Sequence, residues 1–159
     1  MGPPGQAWRS EAMKKVAILF ALLGVLGSGA HALAQEAPAM TVWKSPWCGC
    51  CGKWVEHMRA AGFEVQVEEV EDLGHVKRMA AVPENLQSCH TARVGGYTIE
   101  GHVPAADVLR LLEEKPDAHG LFVPGMPSGS PGMENGEHDP YDVLMLKRGG
   151  STEVFSSHR

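Results

Sequence analysis

The sequence has no apolar stretch long enough to cross a membrane as a helix. Its longest run, residues 16–26, falls well short of the ~20 residues that a ~30 Å hydrocarbon core demands. It has no excess of positive charge: 14 Lys and Arg stand against 19 Asp and Glu, a net −5. The absence of a basic stretch argues against nucleic acid or an anionic lipid surface as a partner. There is no internal repeat. Cysteine is scarce, with four in the chain, and three fall within the stretch SPWCGCCGKW at residues 45–54. Cys50 and Cys51 are adjacent and Cys48 is close by, so only a long-range bridge to Cys89 is easy. The set does not read as a disulfide framework.

What is present begins with residues 13–34, MKKVAILFALLGVLGSGAHALA. Two lysines, an apolar run and a small-residue end in Ala32-Leu33-Ala34 have the order of a cleaved secretory signal. Residues 1–34 are therefore expected to be lost, with Met13 the expected true start. Residues 35–159 remain as one exported domain, placed in the periplasm, more acidic than the whole chain and without lasting membrane insertion. That length can bury a core without staples. Export makes clustered cysteines functional rather than structural, since an oxidising compartment normally pairs them across the fold.

The mature part reads in order. Residues 40–44 are β-rich, Ser45-Pro46 turns the chain, and from Cys51 to Ala61 apolar residues recur at helical spacing before Gly62. Residues 63–70 alternate as a half-buried strand. Asp72 caps a second helix to about Ala81, with Leu73, Val76 and Met79 or Ala80 inward and Pro83 beyond its end. Two short strands flank Gly95-Gly96. Pro104 opens a third helix whose Val108, Leu111 and Leu112 face inward. The order β-α-β-α-β-β-α predicts an α/β, thioredoxin-like core with the cysteines at the end of its first strand. Residues 117–140 read as a long Gly/Pro/Met-containing loop. Residues 141–146 and 152–155 form an added C-terminal β-hairpin that extends or covers the sheet.

Cysteines at a helix start meet unpaired N–H groups and the positive end of the helix dipole, which favour thiolate. Cys48 and Cys51 have the C-x-x-C spacing of dithiol exchange. A third thiol at Cys50 would compete in exchange, whereas a soft cation would relieve the crowding. Thiolates, thioethers and imidazoles are ligands that suit Cu(I), and zinc also accepts four cysteines or three with a histidine. In glutaredoxin-like chains a Thr-Val-Pro segment lies against the C-x-x-C. Here the matching stretch is Ser88-Cys89-His90-Thr91. The proline that presents a substrate is missing, and two ligand types stand in its loop.

Further motifs extend this pattern: Leu86-Gln-Ser-Cys-His90, Val94-Gly-Gly-Tyr97, Ile99-Glu-Gly-His-Val-Pro-Ala105, Val123-Pro-Gly-Met-Pro127, Ser130-Pro-Gly-Met133 and Asp139-Pro-Tyr-Asp-Val143. With the cysteine stretch they cover nearly the whole mature chain, in order. The sequence thereby resembles the CopG-like copper-resistance family of exported bacterial proteins, once carried as a domain of unknown function. The resemblance implies a thioredoxin-like fold and copper held by Cys48, Cys50, Cys51 and Cys89. It further implies a role in periplasmic copper handling, with Cu(I)/Cu(II) redox cycling and other copper-handling proteins as partners.

Secondary ligand candidates are Met126, His90, His102 and Met133. Adjacent strand residues point to opposite faces, so Cys89 and His90 converge only if the backbone is irregular there. His102 precedes the third helix, where a cap or a solvent-facing side chain is the simpler expectation. His57 reads as structural or exposed, Met58 and Met79 as core, and Trp43, Trp47 and Trp54 as packing around the site. Two rivals remain: a thiol-disulfide oxidoreductase using Cys48 and Cys51, and a zinc-stabilised binding module.

Overall fold

Among the described residues, seven strands form a single mixed sheet in the order β2-β1-β3-β4-β5-β6-β7. The computed structural model describes residues 37–159, and the expected export signal at residues 1–34 lies outside them. β1 (Ala39–Lys44) alternates, burying Met40, Val42 and Lys44. α1 (Gly49–Ala60) follows, with Cys51, Trp54, Val55 and Met58 buried along one stripe, the i, i+3, i+4, i+7 pattern of a core-facing helix. β2 (Glu64–Glu69) runs parallel to β1. α2 (Leu73–Met79) is capped by Asp72, whose carboxylate accepts from the His75 N–H at 3.1 Å. A 3₁₀ turn, Glu84–Leu86, leads to β3 (His90–Val94) and β4 (Tyr97–Glu100). They are joined by Gly95 and Gly96, both at positive φ, as a two-residue hairpin turn requires. α3 (Ala105–Glu114) starts behind Pro104 and buries Val108 and Leu111, with Leu112 packed at the margin. The expected β-α-β-α-β-β-α order is present.

Two expectations need correction. Residues 117–140 are not all loop: Ala118–Phe122 is β5, parallel to β4. Gly120 hid it, since a mid-strand glycine reads as a breaker. In the fold that glycine passes so close to β4 that a Cβ would lie 1.7 Å from the Thr98 carbonyl oxygen. The addition is therefore three strands, β5 with the hairpin β6 (Tyr141–Lys147) and β7 (Thr152–His158), and it extends the sheet. In α2, Met79 is 75% exposed, whereas Lys77 is only 5% exposed. Apolar periodicity cannot anticipate a buried lysine, and the partner that draws it inward lies on β4.

The main core packs α1 and α3 on one face of the sheet, through Trp54, Met58, Val103, Val108 and Leu111. Alternate sheet positions turn Phe122 and Leu146 to the other face, against Ala80, Val82 and Leu86 near α2. Among the described residues no helix is long and apolar enough to cross a membrane. Strand register brings distant ends of the chain level. Lys44 pairs with His90, Thr91 with Glu100 and Glu100 with Phe122. The end of β1, the start of β3 and the ends of β4 and β5 therefore lie along one side of the sheet. Strand ends of this kind are where open α/β sheets place ligand sites.

Candidate metal centre

Cys48 occupies the N-cap of α1, and its Sγ accepts from the Cys51 N–H at 3.3 Å. Three residues on, Cys51 is fully buried on the core stripe. One helical turn brings the two Cα atoms to 5.4 Å, a separation that a bridge spans without distortion. Here the structure differs from the four-thiolate expectation: Cys48 and Cys51 are joined as a disulfide, while Cys50 and Cys89 are free. Cys50 Sγ lies 3.5 Å from Cys48 Sγ. Cys89 stands in a bend just before β3, and all four sulfurs lie within 4.8 Å of one another.

Cys89 belongs to a second group as well. Its Sγ is 3.0 Å from His102 Nε2 and 3.3 Å from His90 Nδ1. Cys89, His90 and His102 also fall within the 4.8 Å limit. His102, expected as a cap or in solvent, is fully buried. Its Nδ1–H donates to the Pro131 carbonyl at 2.8 Å, leaving Nε2 with a lone pair aimed at the cysteine. An outer hydrogen bond of this sort fixes the tautomer of metal-binding imidazoles. His90 is also fully buried. Its ring packs 4.4 Å from Trp54 and meets His102 edge-on at 5.1 Å. Among the described residues, its Nε2 is the one buried side-chain polar atom without a hydrogen-bond partner.

Burial lowers the His90 pKa well below the usual imidazole range, with the His102 and Lys77 charges adding to the effect. Burial lowers His102 too, against opposing influences from the Pro131 carbonyl and Glu134. Both rings are held neutral, the form that binds metal. Burial first, and Cys50 second, push the Cys89 thiol up to about 11. Without a cation, then, Cys89 keeps its proton. The helix-dipole argument for thiolate does not reach this residue, which lies across the site from α1.

The loop of residues 123–140 closes one side. Gly132, at φ +86°, lies against the first turns of α1, where a Cβ would come within 2.7 Å of the Cys50 carbonyl oxygen. Glu134 receives the Gly132 N–H through both carboxylate oxygens, at 2.9 and 3.0 Å, and this lowers its pKa. Ser88 Oγ donates to the Gly125 carbonyl, tying the Met126 turn beside Cys89. Met126 itself is 53% exposed and Met133 half-buried. His57 is structural, its Nε2 accepting from the Ala105 N–H at 3.1 Å. Of the tryptophans, Trp54 is buried and Trp43 partly so, but Trp47 is 90% exposed beside Cys48. It does not pack around the site as expected.

Fold and site together define a mixed α/β domain with a cysteine–histidine cluster capable of holding metal at its strand ends. A family described as "Protein of unknown function, DUF411" matches residues 86–133, which span Cys89, His90 and His102. Two solved structures are similar over nearly the whole described chain. "Copper resistance protein copG- Form 2" is 44% identical, with a TM-score of 0.75, covering 78% of this chain and 100% of its own. "Copper resistance protein copG- Form 1" is 44% identical, with a TM-score of 0.73, covering 77% and 98%. No curated protein matches. The chain belongs to the CopG-like copper-resistance family.

Proposed function

We propose that the protein is an exported, periplasmic copper-binding protein that holds Cu(I), as more than one ion, in copper handling. The observation that carries this is the convergence of four sulfurs with two neutral imidazoles around Cys89. Soft thiolates favour Cu(I), and imidazole serves either oxidation state of copper, so the mixed set is compatible with Cu(I)/Cu(II) cycling. Cys89 belongs to both groups and would bridge ions held in each. Met126 and Met133 are secondary ligands in this reading. The element order supports a thioredoxin-like ancestry, with the exchange position turned to metal binding.

Because Cys48 and Cys51 form a disulfide, full loading requires that they first be reduced. Protein reduced with a thiol-free phosphine is expected to bind more Cu(I) per chain, under anaerobic competition with a chromophoric chelator, than disulfide-bonded protein. Displacement of Cu(I) by zinc would overturn the copper reading, and equal stoichiometry in the two states would remove Cys48 and Cys51 from the ligand set.

Affinity should also depend on pH. The Cys89 thiol, raised to about 11, releases its proton to solvent when its sulfur binds the metal, whereas the neutral imidazoles bind through a nitrogen that carries none. Apparent Cu(I) affinity should therefore rise with pH, by up to about ten-fold per unit for each proton displaced. Titrations between pH 6 and 9 measure that slope.

The disulfide itself favours a second reading, thiol-disulfide exchange by Cys48 and Cys51. The loop facing them carries Cys89-His90 where exchange proteins carry a proline, which supports metal over exchange. Reduction of insulin disulfides at a rate that Cys48→Ser abolishes would reverse that preference.

A further inference from the structure

Glu100 ends β4 with its side chain fully buried, and the metal reading assigns it no task. One oxygen, Oε1, accepts from the Ser88 N–H at 2.7 Å and from Lys77 Nζ. The other, Oε2, accepts from the Thr91 hydroxyl at 2.7 Å. Lys77 Nζ also donates to Thr91 Oγ1 at 3.2 Å. Ser88 and Thr91 flank Cys89 and His90, so one carboxylate grips the chain on both sides of that dipeptide. The residues after Glu100 complete the arrangement. The Gly101 N–H donates to the His90 carbonyl at 3.1 Å, and His102 is next in the chain.

The grip explains how two consecutive residues come to serve one site. In a regular strand Cys89 and His90 would face opposite ways. The bend at Cys89 lets Sγ and Nδ1 approach to 3.3 Å, and that bend is held at Ser88 N by Glu100. A buried ion pair is a poor source of stability compared with apolar packing, and its best-attested use is to specify one arrangement over others. Lys77 supplies the charge that keeps the carboxylate tolerable in the interior. It enters from α2 and shares Oε1 with the Ser88 N–H.

We propose that Glu100, paired with buried Lys77, is a positioning residue that holds the Ser88–Cys89 bend so that Cys89, His90 and His102 converge on one metal. The proposal rests on the metal reading of that cluster, and its test includes a metal-free measurement. Glu100→Gln keeps the shape and removes the charge. The double variant Lys77→Met/Glu100→Gln removes both charges and leaves neither orphaned, which covers the case in which the single variant fails to fold. Leu111→Ala, in the α3 core, serves as a control that destabilises without touching the loop.

In reduced, metal-free protein, alkylation mapped by mass spectrometry gives the ratio of Cys89 to Cys50 reactivity. The ratio is expected to rise in both Glu100 variants and to stay at the wild-type value in Leu111→Ala. Anaerobic Cu(I) competition on the same proteins is expected to show a loss of about ten-fold or more in the Glu100 variants alone, the scale of outer-shell changes at metal sites. Glu100 variants matching the Leu111→Ala control in both measurements would overturn the proposal. If wild-type protein fails to bind Cu(I), the copper reading falls, while the alkylation ratio still decides the role of Glu100.

Discussion

Cys89→Ser is expected to weaken Cu(I) binding by more than about a hundred-fold, beyond the ~10–100-fold range of outer-shell substitutions, and to lower the number of ions bound. The reason is position. Cys48, Cys50 and Cys51 each belong to one candidate group, whereas Cys89 belongs to both. Its Sγ faces His102 Nε2 at 3.0 Å, His90 Nδ1 at 3.3 Å and the three sulfurs of the α1 end. Serine keeps the size but offers a hard hydroxyl that Cu(I) does not favour. Removing Cys89 also leaves two neutral imidazoles without the sulfur they face. Cys50→Ser should cost less, because the Cys89–His90–His102 group survives it. Parallel anaerobic titrations of the two variants check the order. Equal losses would mean that Cys89 does not bridge the groups.

The second large effect is on stability. Trp54→Ala should cost about 3–5 kcal/mol, the range for removing a buried large aromatic. A domain of this size has about 5–15 kcal/mol in all, so a chemical denaturation midpoint should fall steeply. Trp54 is the largest fully buried side chain among the described residues. It joins α1 to three parts of the site. Its Nε1–H donates to the Val103 carbonyl at 2.8 Å, its ring packs on His90 at 4.4 Å, and Gly132 lies over its backbone. Trp54→Phe separates the contributions. It keeps most of the packing and orphans the Val103 carbonyl, at about 1–3 kcal/mol. If Trp54→Phe proves as damaging as Trp54→Ala, the hydrogen bond rather than the packing is what matters there.

Much of the fold is legible in the residues. Apolar recurrence at Trp54, Val55 and Met58 places α1, Gly95-Gly96 places the hairpin, and Val108, Leu111 and Leu112 orient α3. These signals are local: each depends on spacing along one element. Three of the features that escape depend on a tertiary neighbour instead. β5 is hidden by Gly120, whose missing side chain makes sense only once Thr98 lies against it. Lys77 has no inward signal in its own helix, because a charge is buried only when a partner such as Glu100 waits for it. Trp47 is expected inward and points outward, because nothing packs over the turn that carries it.

The sequence by itself supplied the candidate ligand types, since three cysteines in four positions and a Cys-His pair further on can be read without coordinates. That the two segments meet was the expectation from glutaredoxin-like chains, where the loop before the hairpin lies against the C-x-x-C, and the antiparallel pairing of β1 with β3 brings them together. Tertiary structure alone decided which neighbours stand beside the cysteines and in what state. His102 enters because register levels the end of β4 with the start of β3, and the Pro131 carbonyl then turns its Nε2 toward Cys89. Cys48 and Cys51 close a disulfide because one helical turn brings their Cα atoms into bridging range. Ligand identity is written in side-chain chemistry. Convergence is not, because it comes from hydrogen bonds between residues far apart in the chain, such as the one from Ser88 to Glu100.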